Sequence, residues 1–142
     1  MNRKLVVIIF TVLLNSCELI VIGTKTTPQV KEFVDYNQKT PLGTIYLFKA
    51  ELDSNNISAA SELLAASDGR FLAYQRYEKF DEVSRFKRMI SLKEITDVEG
   101  DKISENLYKY KLEFDYRRTV TFVTNKISNN WFITDMEGYE RQ

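Results

Sequence analysis

Between Leu107 and Tyr116 the chain reads LYKYKLEFDY, and from Tyr108 onward its odd and even positions differ completely in character. Tyr108, Tyr110, Leu112, Phe114 and Tyr116 fall on one parity, and Lys109, Lys111, Glu113 and Asp115 on the other. Successive side chains point to opposite sides only in an extended chain. The pattern therefore predicts a half-buried antiparallel strand with one oily and one wet face. An oily sheet face needs a covering layer, so the rest of the chain must supply one.

The period before this segment is helical. Ile45, Phe48 and Leu52 recur at three and four residues from Pro41 onward, and the DSNN that follows supplies stop and cap residues. ISAASELLAAS puts Ile57, Ala60, Leu63 and Leu64 on one face, with Asn56 as N-cap and Gly69 just past its end. Phe71, Tyr74 and Tyr77 form a third stripe, and after Asp81, a further candidate cap, Val83, Phe86 and Ile90 form a fourth. SLKEITDVEGDKI, with Glu99-Gly100-Asp101 as a turn, is expected to start the sheet. TVTFVTNKI is rich in β-branched residues, SNN is a turn, and WFITDM returns as its partner strand. Helices first and a strand meander afterwards predict an α+β fold, with the N-terminal helices packed on an antiparallel sheet of about four strands.

The amino terminus carries a different signal. Arg3 and Lys4 precede the apolar run LVVIIFTVLL, and Ser16 stands just before Cys17, which is the layout of a secretory signal. Leu14-Asn15-Ser16-Cys17 resembles the lipobox of bacterial lipoproteins, with Asn15 standing where a small or apolar residue is usual. The resemblance implies cleavage of residues 1–16, acylation of Cys17 with diacylglycerol and a further acyl chain on the new terminus. The partner would then be membrane lipid and the location the bacterial cell envelope, at the inner or the outer membrane. An uncleaved transmembrane helix over residues 5–22 is the competing reading, since about 20 apolar residues span a bilayer. Asn15, Ser16 and Glu18 in its second half count against it. Residues 17–40, with Pro28 and several threonines, read as a tether, and residues 41–142 as a single domain.

Composition narrows the chemistry. Loss of residues 1–16 leaves 18 basic against 20 acidic side chains, a net of −2, with no positive field on the scale that nucleic acid requires. The chain has no histidine, and its one cysteine is claimed by the lipobox. Cys/His zinc sites, Ser-His-Asp triads and thiolate nucleophiles are therefore excluded, and no metal or cofactor is expected.

LFKAELDSNNISAASELLA, a further helix and a terminal NNWFITD together resemble the nuclear transport factor 2-like superfamily, in particular its small bacterial lipoproteins. The resemblance spans roughly Pro41 to Glu137 and implies a cystatin-like cone, in which a curved sheet wraps the helices. Catalytic members of that superfamily commonly use an Asp or His inside the cone. Here Asp135, on a strand face with Trp131 and Ile133, is the candidate general base, its pKa rising if that face lines a cavity. Against this stands an Asp135 at the sheet end in water, or paired with Arg117 or Arg118. Tyr74, Tyr77, Tyr108 and Tyr110 either line a ligand pocket or form a core rim with hydroxyls in water. Arg76, Lys79, Arg85, Lys87 and Arg88 form a basic helical group in which Glu78, Asp81 and Glu82 are interspersed. DYRRT joins two strands without Gly, Asn or Pro, as a bent strand or as an arginine-bearing corner offered to a partner. The expectation is a non-catalytic binding or assembly module whose partner is another envelope protein. The alternative is a binder of small hydrophobic ligands, or an isomerase or hydrolase using Asp135.

Overall fold

Among the described residues three helices, α1 (Pro41–Asp53), α2 (Ile57–Glu62) and α3 (Ala73–Ile90), precede four strands, β1 (Ile95–Ser104), β2 (Leu107–Phe114), β3 (Arg118–Ile127) and β4 (Asn130–Glu140). The strands form one antiparallel meander in the order β1-β2-β3-β4, and the class is α+β, with the sheet curved. The computed structural model describes residues 34–66, 68 and 73–140, apart from the side chains of 73–78 and 140. Cys17, residues 5–22, Gly69 and Phe71 lie outside the described residues, as do the side chains of Tyr74, Arg76 and Tyr77.

Helix α1 forms where its caps and its apolar stripe agree. Thr40 accepts the Gly43 N–H at 3.0 Å, Pro41 opens the first turn, and Ile45, Phe48 and Leu52 are all buried. Its C-terminal end closes with Asn55 in the left-handed region (φ 61°), the Asn55 N–H donating to Leu52 O and the Asn56 N–H to Glu51 O. That pair of bonds is a Schellman closure, with asparagine tolerating the positive φ. Val83, Phe86 and Ile90 of α3 are fully buried, as the sequence predicts, but Asp81 lies exposed inside the helix and not at its start.

Helix α2 stops at Glu62, earlier than its apolar period suggests. Leu63, Leu64 and Ala65 leave the helix to run along β4. Ile133 N–H donates to Leu63 O and Ala65 N–H to Ile133 O, both at 2.9 Å. Covering a strand's unpaired backbone groups outweighs one more helical turn.

The inner sheet face carries Leu112 and Phe114 of β2, Val120 and Phe122 of β3, and Ile133 and Met136 of β4, all buried against the helices. Phe48 of α1 meets Phe122 edge-on, with ring centroids 6.3 Å apart and planes at 72°. Among the described residues every buried side-chain polar atom has a partner. Thr44, for example, donates to Thr40 O at 3.0 Å.

The structure corrects one sequence expectation about turns and decides between the alternatives of another. Glu99-Gly100-Asp101 is the middle of β1 and not a turn; the β1–β2 connection lies instead at Glu105 and Asn106. DYRRT is a tight turn in which Asp115 (φ 49°) and Tyr116 (φ 58°) are both left-handed, with the Arg117 N–H donating to Phe114 O at 3.1 Å. The right-handed twist of the strands demands this turn hand. Asp115 is held there because its carboxylate accepts the Glu94 N–H and its own N–H donates to Glu94 O, each at 3.0 Å. Tyr116 is 75% exposed and has little to offset a left-handed cost of about 1–2 kcal/mol. Tyr116→Gly is therefore expected to raise stability by roughly 0.5–1 kcal/mol after the added unfolded-chain entropy, read as a higher urea midpoint at unchanged slope.

Candidate functional site

Of the aromatic residues singled out in the sequence, the fold brings Tyr108, Tyr110 and Trp131 together. Strand parity puts Tyr108 and Tyr110 on the inner face of β2, and Trp131 enters the same face from the start of β4. The two tyrosine rings stack at 6.0 Å and 9°, and Trp131 meets Tyr108 edge-on at 5.4 Å. Trp131 is held by its backbone: its N–H donates to Gln38 O at 2.9 Å, and its carbonyl accepts from the Gln38 amide at 3.0 Å. Residues 34–40, read from sequence as the end of a tether, are thus tied to β4 and belong to the folded unit.

Opposite Tyr110 stands Gly100 of β1. A Cβ there would come within 2.5 Å of the Tyr110 ring, so the ring lies directly on the β1 backbone. This explains why a glycine interrupts the strand, and why it is not a turn residue. With Trp131 buried and the tyrosines half-buried, the three rings fill one another's faces and form a wall closing that end of the inner face.

Asp135 does not share a face with Trp131 and Ile133. Thr124 pairs with Ile133 and Val123 with Asp135, so Thr134 is an extra residue in β4, its hydroxyl donating to Val123 O at 3.3 Å. This bulge inverts the parity of the strand. Trp131 and Ile133 before it and Met136 after it are buried, while Asp135 turns to solvent and accepts the Met136 N–H at 2.9 Å. Beside it Leu64, Lys79, Glu82, Ile133, Thr134 and Met136 border a depression of about 10 Å³, room for roughly one water. Lys79 and Glu82 are engaged with each other there at 2.7 Å.

Arg117 is exposed in the β2–β3 turn. Arg118 is half-buried on β3 and donates to Met89 O at 3.2 Å; its cross-strand partner is Glu140, five β3 positions from the one that faces Asp135. The turn is the exposed corner of the two alternatives, and its arginines point to different tasks. In the basic helical group Lys79 pairs with Glu82, Lys87 donates to Asn55, and the Arg85 guanidinium lies 5.0 Å from the centre of the Phe86 ring. No group of three or more acidic or cysteine side chains among the described residues is placed to hold a metal, and no described helix is long and apolar enough to cross a membrane.

Sequence reasoning missed the acidic row on β1. Asp97, Glu99 and Asp101 are exposed on the outer sheet face, and the period-two signal was legible in TDVEGDKI once Gly100 is read as strand. Across from them on β2 stand Glu113, Lys111 and Lys109, with Lys111 bonded to Glu99 at 3.0 Å. At the hairpin tip Lys102 and Glu105 pair at 2.6 Å; their mutual hydrogen bond raises the lysine pKa and lowers that of the glutamate.

Compared with models of known protein families, with curated proteins and with solved structures, the chain finds no match in any of the three.

Proposed function

We propose that this chain is a bacterial cell-envelope lipoprotein, held to a membrane through acylated Cys17, whose folded domain binds or assembles with another envelope protein without catalysing a reaction. The observation that carries the binding reading is the filled inner face of the sheet. Phe48, Phe86, Phe114 and Phe122 are fully buried between the helices and the sheet, and the aromatic wall closes one end. Small-molecule sites typically enclose about 300–1,000 Å³, far more than the depression beside Asp135. The lipobox and its apolar approach support the anchoring, since several acyl chains hold a protein where one binds only reversibly.

The test is made on full-length protein expressed in a bacterial host and extracted from membranes. The expected mass is that of a chain starting at Cys17 and carrying acyl groups, with Cys17→Ser leaving the detergent phase or remaining uncleaved. Intact residues 1–16 above an unmodified Cys17 would refute the anchoring. For the domain, Asp135→Asn is expected to leave both stability (within about 0.5 kcal/mol) and any ligand screen unchanged; a lost ligand signal would return the domain to the enzyme or small-ligand reading.

A further inference from the structure

The two edges of the sheet are treated differently. β4 is covered at its start, where the backbone of Trp131 and Ile133 is bonded to Gln38, Leu63 and Ala65. β1 pairs with β2 on one side, and no described residue pairs with its other side. Its ladder runs without interruption from Asp97 to Lys102, between register shifts at each end, about 20 Å of strand at the usual rise per residue. Unpaired strand edges template the addition of another strand.

We propose that the outer edge of β1 receives an extended segment of a partner protein as a fifth strand, and that this segment alternates basic with apolar residues. The inference rests on the binding reading above and names its surface and partner chemistry. Three observations set that chemistry. The outer face of β1 presents Asp97, Glu99 and Asp101 in a row, all exposed, and β2 answers Glu99 and Asp101 with Lys111 and Lys109 on its own side but sets Glu113 across from Asp97. A strand on the other side meets the same acids, so basic residues on that face are favoured. On the inner face the incoming strand would lie beside half-buried Val98 and beside Gly100, whose backbone is covered by the Tyr110 ring. Apolar residues fit that side. A second copy of this chain does not meet the requirement, because antiparallel pairing of two β1 edges with their acidic faces together sets carboxylates against carboxylates. Backbone hydrogen bonds supply affinity in strand addition and alternating side chains supply specificity.

The test uses the full-length chain in neutral detergent and a fluorescent ten-residue peptide of alternating lysine and valine. The expected result is saturable binding by anisotropy, together with slowed amide exchange in residues 95–102. An alternating glutamate and valine peptide should bind at least tenfold more weakly, as should the lysine peptide N-methylated along one backbone edge. The variant Asp97→Lys with Glu99→Lys and Asp101→Lys should reverse the preference between the two charged peptides. Equal binding of the N-methylated peptide would show charge attraction without strand addition and overturn the proposal. So would absent binding, protection outside β1, a β1 edge already protected before peptide is added, or dimerisation through that edge. The assay does not depend on acylation of Cys17, so its failure is distinct from a failure of the anchoring test.

Discussion

Replacing Phe122 by alanine is expected to destabilise the domain by about 3–5 kcal/mol, the range for deleting a buried phenylalanine ring. Phe122 stands near the middle of β3, is fully buried, and packs edge-on against Phe48 from the helical layer. Removing the ring takes away the contact that joins the layers and leaves a cavity that rigid strands on both sides cannot close. Domains of this size have only about 5–15 kcal/mol of total stability, so the variant should unfold at much lower urea, with part of the population unfolded in buffer. Tyr139→Ala serves as the control, since Tyr139 lies on the outer face, 55% exposed, and should cost under about 1 kcal/mol. A loss below about 1 kcal/mol at Phe122 would mean that the helices do not rest on β3 as described.

Gly43→Ala is expected to destabilise, contrary to the ordinary rule for a helix. Inside a helix, alanine is normally favoured over glycine by about 1 kcal/mol. Here the added methyl would stand 2.4 Å from the Asp35 carbonyl oxygen, 2.5 Å from the Thr40 hydroxyl and 2.9 Å from the Asn37 carbonyl oxygen. Two of these are backbone atoms, and the third is the helix cap. The segment that holds Trp131 through Gln38 would have to move, at a cost of roughly 1–3 kcal/mol for an overpacked site. Chemical denaturation gives the sign directly. Fluorescence of Trp131, the only tryptophan, reports whether the 35–38 segment has shifted.

Particular residues show how far the sequence could be read. The parity of Tyr108 to Phe114 and the spacing of Ile45, Phe48 and Leu52 each follow from one backbone conformation repeating itself, and each element appears where the pattern puts it. Asp135 failed because a bulge is a property of two paired strands: Thr134 becomes the extra residue only when β3 sets the register. Gly100 carries the chemistry of a turn in its neighbours Glu99 and Asp101, yet it serves to admit the Tyr110 ring. In α2 the apolar period continues past Glu62, but Leu63 and Ala65 are drawn into backbone bonds with Ile133, some seventy positions away. Of the candidate site, the grouping of Tyr108 with Tyr110 was visible in strand parity, whereas the arrival of Trp131 beside them was not.

The sequence alone determined the helix-then-sheet order, the strand identity of its alternating segment, and the side of that strand that faces the core, because side-chain periodicity is local and needs no partner. Only the tertiary structure decided which sheet edge is covered, where β4 reverses its faces and what fills the inner surface, because those depend on hydrogen bonds and contacts between segments distant in the chain.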